Sequence, residues 1–200
     1  KSRVILNPID ETFFSEKWVG SENSIICVGR LYPQKNHELL LRAFQYVHQA
    51  IPDMRLKICG KGTEELRLRN VAENLGIANN VDFLGEISDV RGEMVKSKCF
   101  VLSSNYEGLP NALMEAMAVG MPVVSTDCPC GGPRMLITDR VSGILVPCGD
   151  EQVLANALIE ILSDEEKERD YSEAAKNCAK KFKTNRVMKI WLNFLKLESD

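Results

Sequence analysis

The sequence predicts an α/β fold, a doubly wound parallel sheet of about six strands with helices on both faces. Three observations predict it: short all-apolar runs recur, helical segments separate them, and glycines close several of the runs. Strands covered on both faces read as continuous apolar stretches, and parallel neighbours need helical crossovers between them.

The first strand is Ile25-Ile26-Cys27-Val28, and the loop after it leads to a helix from His37 to Ala50. In that helix Leu39, Leu40, Ala43, Phe44 and Val47 fall at helical spacing. Leu56 to Cys59 is the second strand, ended by Gly60-Lys61-Gly62 and followed by a helix over Thr63 to Leu75. Val81 to Leu84 is the third, closed by Gly85, with a helix near Ser88 to Ser97. Cys99 to Leu102 is the fourth, and Pro110, suited to a first helical position, opens a helix to Val119. Pro122 to Ser125 and Gly143 to Val146 complete the sheet, and Glu151 to Leu162, Asp164 to Ala179 and Thr184 to Leu197 read as helices. Val4-Ile5-Leu6-Asn7-Pro8 reads as a short strand leading in from something upstream.

The 200 residues fit one domain with a sizeable core, residues 1–20 being a lead-in and 180–200 a C-terminal helix. A formal net charge of -3 gives no nucleic-acid signal, since a phosphate-backbone binder carries a basic excess. Between Lys176 and Lys196 every charged residue is basic. That run reads as a solvated helix face, with a membrane-surface patch as the alternative. Cys27, Cys59 and Cys99 lie within strand runs as small hydrophobes, and Cys128-x-Cys130 lacks metal-ligand spacing. Seven cysteines without a disulfide framework suit a reducing, cytoplasmic setting, and no metal is expected. No run reaches the roughly twenty apolar residues of a membrane span. The chain opens at Lys1 rather than Met, as a piece of a longer protein would.

An open parallel sheet binds its ligand beyond the carboxyl ends of its strands, so the loops there carry the chemistry. After the first strand come Gly29-Arg30-Leu31 and Lys35-Asn36, whose two cations suit a diphosphate if the loop folds back. Read alone, the same pair is an ordinary solvated loop, and Gly60-Lys61-Gly62 is an ordinary tight turn. The fourth strand runs into Glu107-Gly108-Leu109-Pro110-Asn111, with Glu115 further along the helix. Free amides at that helix start suit an anion, and Gly108 leaves room for it. Glu107 and Glu115 can accept from ligand hydroxyls at two separate points, although either alone reads as a surface acid. His37 and His48 read as structural.

Together these residues resemble the retaining glycosyltransferases built from two Rossmann-like domains, the GT-B type, in the large group 1 family that includes sucrose-phosphate and lipopolysaccharide glycosyltransferases. Glu107 and Glu115 match its E-x7-E motif, Gly29-Arg30-Leu31 with Lys35-Asn36 its G-R-L…K-N segment, and Glu107 to Pro110 its E-G-x-P turn. Gly120 to Val124 and Gly143 to Pro147 match its G-x-P-V-V and G-x-L-V-P segments. The match covers about residues 4–165. In Cys130-Gly131-Gly132-Pro133-Arg134-Met135, Met135 stands where some relatives carry an acid.

The resemblance implies that the chain is the C-terminal, donor-binding half of a hexosyltransferase, inactive by itself. Arg30 and Lys35 would hold the donor diphosphate and stabilise it as it leaves, and Glu107 would contact the sugar, these three being the catalytic candidates. Backbone at Gly29, Gly60, Gly108, Leu109, Pro110 and Asn111 would line the nucleotide sugar. Glu115 would hold the ribose hydroxyls, and backbone around Glu86 and Ile87 would meet the base. No cofactor is implied beyond the donor substrate, a UDP-linked sugar. The acceptor, a saccharide or lipid-linked saccharide, would bind an absent N-terminal domain, against which Trp191 and Phe194 would pack. Peripheral contact with the inner face of a membrane follows by the same analogy. A nucleotide-sugar epimerase or hydrolase of the same architecture, and a non-catalytic nucleotide-binding module, are the alternatives.

Overall fold

A computed structural model describes residues 5–197. Its sheet has six parallel strands: β1 (Glu22–Val28), β2 (Arg55–Cys59), β3 (Val81–Gly85), β4 (Ser97–Leu102), β5 (Val123–Thr126) and β6 (Ile144–Val146). Their order is β3-β2-β1-β4-β5-β6, so the winding reverses between β1 and β4.

Alternation along the strands sorts side chains to two cores. Ile25 and Cys27 of β1, with Cys99 and Val101 of β4, face the cluster holding Leu40, Phe44 and Val47 of α2 (His37–Ala50). The same cluster takes Leu68 of α3 (Glu65–Asn74) and Leu154, Leu158 and Ile161 of α7 (Glu151–Leu162). Ile26, Phe100 and Leu102 point the other way. They meet Met94 of α4 (Val90–Lys96), Leu113 and Met117 of α5 (Asn111–Val119) and Ala175 of α8 (Glu165–Ala179). Burying each such Leu, Ile or Phe side chain contributes about 1.5–3 kcal/mol before chain entropy is charged against it. Cys27, Cys59 and Cys99 are buried free thiols among these residues. Asn36, Asp150 and Asp164 cap α2, α7 and α8 with side-chain oxygens, which sets where those helices start.

Three local expectations change. Val4 lies outside the described residues, and Ile5–Pro8 form no strand. β1 already has β2 and β4 on its two sides and offers no edge to a lead-in strand. The segment is held instead at Ile9, whose amide donates to the Phe182 carbonyl at 3.0 Å and which bridges to Lys183. Two five-residue helices add to the predicted elements: α1 (Glu11–Ser15), which was not expected, capped by Asp10 and packed on α5, and α6 (Gly132–Leu136), where the Gly131-Gly132 turn does start a helix. Finally, Pro110 is the N-cap of α5 rather than its first residue, with extended backbone at ψ 97°. Its carbonyl accepts from the amides of Leu113 and Met114, so the helix begins one residue later.

The final helix, α9 (Thr184–Leu197), exposes Met188, Trp191, Leu192 and Leu195, while Phe194 is half-buried. Of the basic run, Lys176 is tied down by donating to the Glu16 carbonyl at 2.5 Å, and the side chain of Lys196 lies outside the description. Among the described residues no helix is long and apolar enough to cross a membrane.

Candidate functional site

The reversal between β1 and β4 opens a crevice at their carboxyl ends, where doubly wound sheets take their ligands. The loops after these two strands are laced together. The Asn105 amide donates to the Gln34 carbonyl at 2.8 Å, Ser103 Oγ donates to the Lys35 carbonyl at 2.9 Å, and Asn36 Nδ2 donates to Asn105 Oδ1 at 2.9 Å. Asn36 itself adopts a left-handed conformation at φ 45°, which ends a 3-10 turn over Pro33–Lys35 and starts α2. This fold-back sends the Lys35 side chain beneath Gly29, where an added Cβ would stand 3.2 Å from Lys35 Cε.

Lys35 Nζ ends 2.5 Å from Glu107 Oε1, which also accepts from Ser104 Oγ at 2.7 Å. Both partners are largely buried, with side-chain exposures of 17% and 7%. Glu107 Oε2 has no protein donor among the described residues, and an ammonium carries three donors, so both groups keep capacity for a ligand. Just beyond, Gly108 has open space where a side chain would be. The amides of Asn111 and Ala112 at the start of α5 donate to no protein group among the described residues. Lys35, Glu107 and the α5 start thus offer a cation, a carboxylate oxygen and open amides beyond β1 and β4, a set that an anion with neighbouring hydroxyls would satisfy.

Arg30 lines a groove next to Gly29. It is exposed, makes no ion pair among the described residues, and lies over the Tyr32 ring at 5.4 Å. With Gly29, Gly60, Lys61, Glu86 and Ile87 it lines this groove, of about 500 Å³, along the ends of β1, β2 and β3. Gly29 is common to both: Lys35 packs against it, and Arg30 lines the groove beside it while Lys35 does not.

Glu115, just over one turn into α5, is half-buried in a separate cavity of about 320 Å³ with Asn7, Asp10 and Asn111. Burial raises the pKa of its carboxyl, and the nearby Asp10 raises it further. It has no hydrogen-bond donor among the described residues. His37 is buried beside this machinery, and neither ring nitrogen has a partner. Burial first, and then the Lys35 charge, bring its pKa down to about 4, so it stays neutral at physiological pH.

Sequence reading missed one group and the placing of another. Ser104 is one: its hydroxyl orients Glu107, but a serine three residues before an acid has no distinctive pattern. The other is the turn at Gly131-Gly132, which the motif resemblance picked out but did not place: it packs directly on the E-G-L-P loop, and a Cβ on Gly132 would collide with the Gly108 carbonyl. The Gly-Gly pair was its signal. On the same turn Met135, the residue that departs from the family pattern, is exposed.

The family model for glycosyl transferases group 1 matches residues 8–178. The chain is 31% identical over 197 residues, 96% of its length and 54% of the relative's, to a Campylobacter jejuni GalNAc-alpha-(1->4)-GalNAc-alpha-(1->3)-diNAcBac-PP-undecaprenol alpha-1,4-N-acetyl-D-galactosaminyltransferase. It is 29% identical over 166 residues, 83% of the chain and 24% of the relative, to the poly(glycerol-phosphate) alpha-glucosyltransferase of Bacillus subtilis. Among solved structures it resembles Anabaena HepE in complex with UDP at a TM-score of 0.88 and 24% identity, covering 97% of this chain and 57% of that one. The chain spans about half the length of several of the curated relatives it matches.

Proposed function

This chain belongs to the glycosyl transferases group 1 family, and from that premise we propose that it carries the donor site of a retaining glycosyltransferase. The enzyme would move a sugar from a UDP-linked donor to a saccharide or lipid-linked acceptor. The observation that carries the reading is the Lys35–Glu107 pair at the switch point, set beneath Gly29 and beside the open amides of α5. A solved fold neighbour holds UDP, and a relative's name specifies an undecaprenol-linked substrate, which supports both ends of the reaction. Neither favours an epimerase or a non-catalytic module.

In this reading the bond from the sugar's anomeric carbon to the diphosphate breaks, and the electron pair leaves with the diphosphate. Lys35, Arg30 and the amides of Asn111 and Ala112 meet the growing negative charge. The acceptor hydroxyl forms the new bond to that carbon and passes its proton to the departing diphosphate oxygen. Glu107 Oε2 accepts from a sugar hydroxyl, and Glu115 accepts from the ribose diol. The groove beside Arg30 takes the base against Gly60 and Ile87. The acceptor comes from a second domain, which the apolar face of α9 would contact. Seven free cysteines suit a reducing compartment, and a lipid-linked acceptor would put the work at the inner face of a membrane.

Calorimetric titration with UDP tests the donor site: binding is expected, with Arg30→Ala weakening it about 10-fold. No binding of UDP or GDP at millimolar concentration would overturn the reading. Transfer itself is expected when this chain is joined to an acceptor-binding domain and not of residues 1–200 alone, with product anomeric configuration read by NMR.

A pH prediction follows from Glu115. Its folded pKa lies above the unfolded value, so the neutral form is the one folding favours, and this contribution fades as pH rises through the raised pKa. Accepting from a diol needs the charged form. UDP affinity is therefore expected to fall on acidification through that same range. Glu115→Gln should bind UDP more weakly at pH 7.5 and lose less affinity at pH 5 than the parent. Equal pH profiles for the two would separate Glu115 from the ligand.

A further inference from the structure

Gly60-Lys61-Gly62 is more constrained than a tight turn requires. A Cβ on Gly60 would strike the Gly29 carbonyl, and one on Gly62 would strike the Leu31 carbonyl. The Leu31 amide donates to the Lys61 carbonyl at 2.9 Å, and the Gly60 amide donates to the Gly85 carbonyl at 2.7 Å. The backbone of Lys61 is thus pinned between the loops after β1 and β3. Its side chain runs toward β3, with Cε 3.7 Å from where a Cβ on Gly85 would be. Nζ stops 3.9 Å from Glu86 Oε2, near enough to attract and too far to hydrogen-bond. Both side chains are exposed on the rim of the groove that also holds Arg30 and Ile87.

An ammonium only donates and a carboxylate only accepts. Held side by side and unspent on each other, they complement a ring carbonyl next to a ring N–H. Uracil presents that edge through O4 and N3–H, and guanine through O6 and N1–H. Cytosine and adenine present the reverse, an exocyclic amine beside a bare ring nitrogen, which sets acceptor against carboxylate and donor against ammonium. We infer that Lys61 and Glu86 are a specificity-determining pair that selects a base with a carbonyl beside a ring N–H. The inference rests on the donor-site reading above. An exposed pair of this kind adds little to stability, so its removal leaves the fold intact.

Titration of the full chain with UDP, GDP, CDP and ADP tests it, because the four share ribose and diphosphate, and UDP and CDP differ only at the edge in question. UDP is expected to bind about 10-fold more tightly than CDP. Lys61→Met and Glu86→Gln should each bring the UDP-to-CDP ratio near unity by weakening UDP, with circular dichroism unchanged. Whichever of UDP and GDP binds more tightly identifies the base, and either result supports the pair. Tightest binding of CDP or ADP, or a ratio unmoved in both variants, overturns the inference while leaving the donor site standing. Failure of all four nucleotides to bind overturns the donor site and the inference with it.

Discussion

Under the proposed function, Lys35→Ala is expected to lower transfer by this chain joined to an acceptor-binding domain about 100- to 1,000-fold, the effect of removing one pre-positioned charge from the leaving group. The same change should destabilise the chain by about 3–5 kcal/mol, because it strands a buried carboxylate. Glu107 is 7% exposed at its side chain and would keep only the Ser104 hydroxyl. The two losses can be separated. Lys35→Met combined with Glu107→Gln removes both charges and should recover most of the stability, read from the urea midpoint at constant m-value. It should recover none of the turnover, since the leaving diphosphate still lacks its cation. Restored turnover in the double variant would show that Lys35 serves folding alone, and an unchanged urea midpoint in Lys35→Ala would show that the pair is not buried in solution.

That pair marks the limit of what the sequence makes legible. The helices at His37–Ala50, Glu151–Leu162 and Thr184–Leu197 have the bounds that their periodicity predicts, helped in the first two by visible caps. The strands were legible because burial on both faces leaves a continuous apolar run, and their spacing implied the parallel order. The loops at the strand ends, and hence Gly29, Arg30, Lys35, Glu107 and Gly108, followed from that order and from motif resemblance. Contact between Lys35 and Glu107 did not, since 72 residues separate them and no local pattern encodes the meeting. Nor did the surroundings of Glu115, which depend on a lead-in segment anchored through Ile9 to the far end of the chain. Pro110 shows a local rule outweighed: it suits a first helical position, yet its extended ψ makes it the cap. α1 and α6, at five residues each, are too short to display a period and exist through tertiary packing.

α6 yields the second large effect, from a single methyl group. In Gly132→Ala the new Cβ would meet the carbonyls of Gly108 and Glu107, main-chain atoms that cannot swing aside as a side-chain end would. Either α6 lifts away from the E-G-L-P loop or the loop moves toward the crevice. The first course disturbs the packing of Leu136, which is buried against the α5 layer. The second shifts Gly108 and the α5 start by a sizeable part of an ångström, enough to misalign amides that in the proposed donor site would sit at hydrogen-bond distance from a phosphate. Stability is expected to fall by about 1–3 kcal/mol, the range for overpacking, and UDP affinity by more than the 10-fold expected of Arg30→Ala. Gly131→Ala gives the contrast: its added Cβ meets nothing within 4 Å, though its φ of 71° carries a local backbone strain. It should therefore lose some stability and keep UDP binding. If the two variants bind UDP equally, the Gly132–Gly108 contact does not set the geometry of the α5 start, and the glycine pair serves only the turn.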